Sequence, residues 1–330
     1  MIYDHAFQIV TDHLYLRPPG LVPGVDLIIK IEGLNIAGSI KLKTALGLIE
    51  AAERDGRLRP GGRVVESSSG NLGVALSAVC AAKGYVFTCV SDPNTSPHNV
   101  ALMRAYGAHV AIIDQRDDNG GFLGTRIALI QRWLRDDPEL VWLNQYGNRA
   151  NPRAHYERTA SAIVADLSPV DYLFVGTGTT GTLTGCSEYF REHSAGTRIV
   201  AVDAVGSVTF GFPPGRRLIP GLGSSARPEL ARPEAADEIV SVAEADAVRM
   251  CRNLAAQHGI AVGGSTGSVL AAVEAKAPDL PPGARVVAIS PDLGERYLST
   301  IYNDGWVGRH FAAERDVAAE LDHAGHGQVG

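Results

Sequence analysis

A single lysine and a turn of small residues carry the clearest chemistry in this sequence. Lys41 ends the segment Asn35-Ile-Ala-Gly-Ser-Ile-Lys41 and is one of only five lysines in 330 residues. A lysine amine can form a Schiff base with an aldehyde. The run Gly176-Thr-Gly-Thr-Thr-Gly-Thr-Leu-Thr-Gly185 follows a strand-like segment, and a turn of this kind that opens a helix can bind a phosphate. Together, the amine and the phosphate site predict pyridoxal phosphate as a cofactor.

Two further junctions have the same character. The segment Ser67-Ser-Ser-Gly-Asn-Leu-Gly73 offers hydroxyls and backbone N–H groups that suit a carboxylate, and Asn71 can donate to a cofactor oxygen. An ordinary helix start is the alternative, because Ser69 alone would suffice as a cap. Gly263-Gly-Ser-Thr-Gly-Ser268 is a third turn before a helix-like segment. Helix capping could explain any one of these junctions. It is a weaker explanation for three of them occurring together with Lys41.

The glycine pattern also permits a different cofactor. Gly176-Thr-Gly-Thr-Thr-Gly181 matches the dinucleotide pattern G-x-G-x-x-G, and Asp203 ends the next strand-like segment, where a ribose-binding acid would lie. A nicotinamide-dependent oxidoreductase therefore stays open, as does a plain tight turn. A dinucleotide site requires neither Lys41 nor the Ser-Gly-Asn turn, so the combination favours pyridoxal phosphate.

Strand-like and helix-like segments alternate along the chain, which predicts an α/β fold with two lobes, each a parallel-rich twisted sheet flanked by helices. The predicted strands cover 26–32, 63–66, 86–90, 110–113, 171–175, 198–202 and 285–289. The predicted helices cover 42–54, 71–83, 97–106, 122–135, 152–165, 181–192, 243–258 and 266–276. The segment from Phe212 to Pro233 is long for a connector, so it is either a substrate-covering loop or plain surface. We expect a flexible tail over 311–330 because this segment is charged and ends in glycine and histidine.

Composition narrows the class of protein. A hydrophobic content of 45% with 20% charged residues is typical of an ordered protein with a large core. A net charge of -6 disfavours a nucleic-acid partner. The four cysteines are far apart, and we interpret them as buried free thiols in a reducing compartment. Since neither a signal peptide nor an apolar run of roughly 18 residues is visible, we expect a soluble, cytoplasmic protein without a membrane partner.

Read together, these motifs resemble a known family. From about residue 10 to 305 the chain is similar to the fold-type II pyridoxal-phosphate enzymes, the superfamily of cysteine synthase and cystathionine β-synthase. Within it, the resemblance is closer to the N-(2-amino-2-carboxyethyl)-L-glutamate synthases, which act in 2,3-diaminopropionate biosynthesis in siderophore or peptide-antibiotic pathways. The segments that carry this closer resemblance are Ser91-Asp-Pro-Asn-Thr-Ser-Pro97, Asn119-Gly-Gly-Phe-Leu-Gly-Thr-Arg126, Trp142-Leu-Asn-Gln-Tyr146, Val202-Asp-Ala-Val-Gly-Ser-Val208, Gly263 to Ser268, and Pro291-Asp-Leu-Gly-Glu-Arg-Tyr297.

The resemblance implies a tryptophan synthase β-like fold and a role for individual residues. Lys41 matches the Schiff-base lysine, and Asn71 matches the partner of the cofactor's phenolic oxygen. Ser265 matches the partner of the pyridine nitrogen, where a hydroxyl makes the ring a milder electron sink and favours β-elimination. The residues that match the grip on the substrate α-carboxylate are Ser68, Ser69, Gly70, Asn71 and Gln145. Those that match the phosphate cradle are Gly178, Thr179, Thr180, Gly181 and Thr182.

The resemblance also implies substrates and lobes. O-phospho-L-serine would be the donor and L-glutamate the amine nucleophile; a cysteine synthase that uses sulfide is the alternative. Phosphate and carboxylate groups suit arginine, and the candidates are Arg126, Arg216, Arg217 and Arg227. Residues 35–150 would form a smaller mobile lobe with Lys41, and residues 1–34 with 151–310 a larger lobe that binds the cofactor phosphate. A homodimer is expected.

The sequence departs from the family pattern in two places. Lys41-Leu-Lys43 stands where Asp-Arg usually follows the lysine, and Asp12-His13 replaces the usual Thr-Pro. Lys43 would then lie on the surface or add positive charge near the site. Both departures weaken an assignment to ordinary cysteine synthase.

Overall fold

The computed structural model describes residues 2–117 and 120–311. Most of the tail predicted over 311–330 therefore lies outside the described residues, as does Asn119, the first residue of one segment that carries the resemblance. Phe311 is the described part of that tail; it belongs to a helical segment over 304–311 and is buried.

The strands of the described residues form two sheets. They are β1 (Tyr15–Leu16), β2 (Asp26–Ile31), β3 (Arg63–Ser67), β4 (Val86–Ser91), β5 (His109–Ile112), β6 (Leu140–Trp142), β7 (Tyr172–Gly176), β8 (Arg198–Ala204), β9 (Glu238–Val242) and β10 (Arg285–Ser290). The first sheet has the order β1-β2-β10-β7-β8-β9, and only the β1–β2 pair is antiparallel. The second sheet has the order β5-β4-β3-β6 and is parallel throughout. These parallel-rich sheets confirm the predicted α/β class.

Helices connect the strands. They are α1 (Lys41–Arg54), α2 (Asn71–Lys83), α3 (Pro97–Ala105), α4 (Leu123–Asp136), α5 (Ala150–Ala154), a π-helical stretch (His155–Ala160), α6 (Ser161–Leu167), α7 (Gly181–His193), α8 (Glu244–His258) and α9 (Gly264–Lys276). Local sequence explains several of their ends. Ser96 caps α3 by accepting the N–H of Asn99 at 3.2 Å, and Pro97 follows as the first helical residue. Gly84 and Gly259 end α2 and α8 in the left-handed conformation that favours glycine.

Apolar side chains bury both faces of each sheet. Helices α8 and α9 pack on one face of the first sheet and α7 on the other, while α1 and α2 pack on the second sheet opposite α4. Strand β10 is buried over Val286–Ile289, as expected for a central strand of a parallel sheet. The four cysteines are buried and free, as predicted. Among the described residues, no helix is long and apolar enough to cross a membrane.

The sequence prediction missed three strands, namely β1, β6 and β9. Each lies at the edge of its sheet, is no longer than five residues and is mostly half-buried. An edge strand of this kind lacks the continuous apolar run that marks a central strand. The helix predicted over 152–165 is in fact α5, the π-helical stretch and α6, which follow one another without a break.

Candidate active site

The carboxyl ends of strands from both sheets surround a cavity of about 410 Å³. Ligands of parallel α/β sheets bind in this position. The predicted site residues in its wall are Lys41, Ser68, Ser69, Gly70, Asn71, Gln145, Gly178, Thr179 and Ser265. The long segment from Phe212 to Pro233 adds Leu218, Pro220 and Ser224 to the same wall. It therefore contributes to the cavity wall and is not plain surface.

Lys41 differs from the other lysines in its surroundings. Each of the other four pairs with a carboxylate; the pairs are Lys30–Glu32 at 3.6 Å, Lys43–Glu32 at 2.8 Å, Lys83–Glu53 at 2.9 Å and Lys276–Glu238 at 2.8 Å. Lys41 has no ion pair with any described residue, and removal from water alone lowers the pKa of its amine to about 8. The amine is therefore available to an aldehyde.

This pKa predicts how the cofactor is captured at different pH values. Only the neutral amine attacks an aldehyde, and the neutral fraction rises with pH until the pKa is passed. We expect the rate at which cofactor-free protein gains its visible band to rise about tenfold per pH unit below pH 8 and then to level off. Stopped-flow absorbance measures this rate. A rise that continues to pH 10 would indicate an ordinary, solvated lysine.

Lys43 lies in the core. Its amine contacts Asp12 and Glu32 at 2.8 Å each, and its side chain is fully buried. Of the two interpretations of Lys43, the surface position is wrong. Its charge is balanced by two carboxylates, and Asp12 belongs to the second place where the sequence departs from the family. The two departures are therefore connected by one ion pair, in which Lys43 is buried and Asp12 half-buried.

The loop between β3 and α2 presents polar groups to the cavity. Ser68 Oγ accepts the N–H groups of Gly70 at 3.3 Å and Gly73 at 3.0 Å, so Ser68 and not Ser69 satisfies the helix start. Gln145 is buried and donates from Nε2 to the carbonyl of Ser67 at 2.8 Å. Ser68 alone therefore caps the start of α2, while Ser69 remains in the cavity wall.

The glycine-threonine turn has features of an anion site. Thr180 adopts φ of 64°, an uncommon conformation for a residue with a side chain, and its buried hydroxyl has no partner among the described residues. Gly181 begins α7, whose free N–H groups favour an anion. The hydroxyl of Thr182 lies 3.3 Å from His155 Nε2. Burial, together with the charges of Lys41 and Lys43, holds the pKa of His155 well below its usual range, so this imidazole is neutral.

The predicted arginines do not reach the cavity wall. Arg126 is buried and pairs with Asp92 at 3.3 Å. Arg217 donates to the Ser224 carbonyl at 2.9 Å, and Arg227 lies 3.5 Å from the Ala231 carbonyl. Arg216 is exposed. Their roles in substrate binding stay predictions.

Sequence reasoning missed an arginine that lines the cavity, Arg296. Arg296 lies in the wall with Tyr297, and both follow β10 in the segment that begins at Pro291. Asp292 is buried directly behind them and contacts Asn71. The only signal in the sequence was the resemblance of this segment to the family, which assigned no role to these residues.

Asp203 does not support the dinucleotide alternative. Its side chain is fully buried, one oxygen accepts the N–H of Ala204 at 2.9 Å, and burial raises the pKa of its carboxyl. A ribose-binding acid has to face its ligand, whereas Asp203 is not part of the cavity wall.

An unpaired amine, an unpartnered hydroxyl beside a helix start and a cavity of this size fit pyridoxal phosphate. Fold and site together define an α/β enzyme of fold type II. The model of the pyridoxal-phosphate dependent enzyme family matches residues 10–292, so the chain belongs to that family and uses pyridoxal phosphate. This confirms the cofactor and the family predicted from sequence, and the enzyme is of the β-replacement type.

Two curated relatives and one solved structure are similar over most of the chain. An N-(2-amino-2-carboxyethyl)-L-glutamate synthase of Ralstonia nicotianae is 42% identical over 88% of this chain and 86% of its own length. An enzyme of the same name from Cupriavidus metallidurans is 41% identical over 88% of this chain and 86% of its own length. The crystal structure of O-ureido-L-serine synthase has a TM-score of 0.83 and 31% identity, and the match covers 93% of this chain and 100% of that one.

Proposed function

We propose that this enzyme joins O-phospho-L-serine to L-glutamate, giving N-(2-amino-2-carboxyethyl)-L-glutamate and phosphate. The observation that carries the proposal is the identity of 42% and 41%, over 88% of the chain, with two relatives of that name. In the reaction, the Cβ–O bond of O-phospho-L-serine breaks and phosphate leaves with the electron pair. A Cβ–N bond forms to the glutamate amine, which loses a proton. The product would supply 2,3-diaminopropionate biosynthesis.

The proposed division of labour follows the cavity wall. Bound pyridoxal phosphate supplies an electron sink for the electron pair at Cα. Lys41 would hold the cofactor through its amine and, as a free amine, would take the Cα proton of the substrate and later return it. Ser68 to Asn71 and Gln145 bind the substrate α-carboxylate. Gly178 and Thr179 in the wall, with Thr180, Gly181 and Thr182 at the start of α7, would hold the cofactor phosphate, and Ser265 would serve the pyridine nitrogen.

Several features support these roles. Ser68, Ser69 and the start of α2 lie in the same wall as Lys41, and a helix start attracts a carboxylate. Ser265 itself lines the cavity, and the Asp292 carboxylate that interacts with it lies behind the wall; a hydroxyl facing the pyridine nitrogen supports the role proposed for Ser265.

The organisation into lobes remains part of the proposal. We propose that residues 35–150 form a smaller mobile lobe, since the second sheet and α1 to α4 all fall within them. The first sheet draws its strands from residues 15–31 and 172–290, which supports the larger lobe. A cytoplasmic homodimer is proposed on family resemblance alone.

A competition assay tests the reaction. Purified enzyme is offered O-phospho-L-serine with L-glutamate and sulfide present together, and the products are identified by mass spectrometry. The proposal expects the glutamate adduct and released phosphate in equal amounts. Cysteine as the sole product would contradict it and would identify a cysteine synthase.

Arg126 provides a test of substrate choice. Its guanidinium lies outside the cavity wall, where Nη1 pairs with Asp92 at 3.3 Å and Nε is buried without a hydrogen-bond partner among the described residues. The proposed role therefore requires the smaller lobe to bring this guanidinium to an anionic leaving group. We expect Arg126→Gln to lower kcat/KM for O-phospho-L-serine by about 10- to 100-fold and to affect O-acetyl-L-serine by less than threefold. Equal losses with both donors would mean that Arg126 only stabilises its own lobe through Asp92.

A further inference from the structure

Three polar side chains in and behind the cavity wall have no role in the proposed reaction. Asp292, Arg296 and Tyr297 follow β10, and Arg296 and Tyr297 line the cavity. Asp292 is 1% exposed and lies behind them. All three connect, directly or through one another, to Asn71 at the start of α2.

The contacts around Asn71 are specific. Its Nδ2 donates to Asp292 Oδ2 at 2.7 Å, and the Tyr297 hydroxyl donates to the same oxygen at 2.6 Å. Arg296 donates from Nη1 to Asn71 Oδ1 and from Nη2 to the carbonyl of Ala37 at 2.5 Å. The Asn71 amide is thus held at both ends, and we call Asp292 and Arg296 the Asn71 clamp.

The chemistry of the clamp allows only one orientation of the amide. Asp292 Oδ2 is an acceptor, since the Tyr297 hydroxyl also donates to it, and a guanidinium only donates hydrogen bonds. A flipped Asn71 would turn its oxygen toward Asp292 and its NH₂ group toward Arg296, which would lose both bonds and oppose like partners. The second N–H of Nδ2 has no acceptor among the described residues. The amide therefore offers the cavity a donor.

The backbone near Asp292 makes room for this arrangement. A Cβ atom added to Gly263 would lie 2.0 Å from Asp292 Oδ1 and 2.8 Å from the ring of Tyr297. Only glycine lets the carboxylate approach so closely. The turn from Gly263 to Ser268, which was singled out for its small residues, therefore has two roles. Gly263 leaves room for the Asp292 carboxylate of the clamp, and Ser265 lines the cavity.

We propose that Asp292 and Arg296 are positioning residues that fix the Asn71 amide with a free N–H for the anionic ring oxygen of the cofactor. This inference rests on the proposed site, in which Asn71 contacts that oxygen. The bonds that Asp292 and Arg296 make to Asn71 do not require either residue to contact the cofactor. Their effect reaches the ring through one side chain, and this makes the proposal testable by epistasis.

The test measures the dissociation constant for pyridoxal phosphate by absorbance titration of the full chain. Losing one hydrogen bond to a charged oxygen corresponds to roughly a tenfold change or more. We expect Asp292→Ala and Asn71→Ala each to weaken cofactor binding by about tenfold, with a shifted visible band. The isosteric Asp292→Asn retains an acceptor for Nδ2, so its effect should stay below about threefold.

The double variant decides between positioning and general damage. If Asp292 acts through Asn71, then Asp292→Ala should have no further effect on the dissociation constant in the Asn71→Ala background. Arg296→Met should behave in the same way, which keeps the test valid if Asp292→Ala folds poorly. The proposed clamp is wrong if the effects of the two substitutions on the dissociation constant multiply in the double variant, or if Asp292→Ala keeps the wild-type dissociation constant. Either result would leave the proposed site itself unaffected. A wild-type protein that gains no visible band would overturn the proposed site itself.

Discussion

Replacing Lys41 with alanine is expected to abolish the visible cofactor band and to lower turnover by about 10³-fold or more. The variant loses both the amine that binds the aldehyde and the base that moves the Cα proton, and general acid–base catalysis alone contributes roughly 10²- to 10⁴-fold. Absorbance spectra and initial rates of phosphate release measure the two effects.

Lys83→Ala is a suitable control for this variant. Lys83 pairs with Glu53 at 2.9 Å and is not part of the cavity wall. It should keep its visible band and its rate within about twofold, since a partly exposed ion pair contributes little. An unchanged band in Lys41→Ala would refute the assignment of the reactive amine.

Gly181→Ala is expected to destabilise the fold and to prevent cofactor binding. The added Cβ would lie 2.2 Å from Asn151 Oδ1, and Asn151 is fully buried. Asn151 Nδ2 donates to the Gln145 carbonyl at 2.8 Å and to Thr179 Oγ1 at 3.1 Å, so a displaced Asn151 disturbs both the substrate loop and the phosphate turn. Overpacking costs about 1–3 kcal/mol and each lost hydrogen bond about 1 kcal/mol.

The free energy of unfolding should therefore fall by about 2–4 kcal/mol. Chemical denaturation measures this change, and absorbance titration measures the loss of cofactor affinity. Gly196→Ala is the matched control, because a Cβ at Gly196 meets nothing within 4 Å. A Gly181→Ala protein with wild-type stability and affinity would contradict the close packing of the turn.

The turns that carry the candidate site residues were predictable from sequence because their signals are local. A run of small residues between a strand and a helix leaves free N–H groups wherever it occurs. Ser68 to Asn71, Gly178 and Ser265 were singled out on this basis or by resemblance, and they line one cavity. The central strands were predictable for a similar reason, since a buried parallel strand such as β10 carries a continuous apolar run, here Val286 to Ile289.

The clamp was not predictable, because its partners are distant in sequence. Asp292 and Arg296 are separated from Asn71 by 221 and 225 positions, respectively. A resemblance could single out the segment that holds them but could not say what it contacts. The positions of the predicted arginines could not be deduced from sequence for a different reason. Their type suits phosphate wherever they lie, and only the fold shows that Arg126 turns to Asp92 and Arg217 to the Ser224 carbonyl.

Chemical mapping of the reactive lysine tests the account most directly. Borohydride reduction of the holoenzyme fixes the cofactor to the lysine that holds it, and peptide mass spectrometry then identifies the residue. The account predicts that the cofactor mass appears on the peptide that contains Lys41 and on no other. Attachment to Lys30, Lys43, Lys83 or Lys276 would contradict the site on which the proposed function and the Asn71 clamp depend.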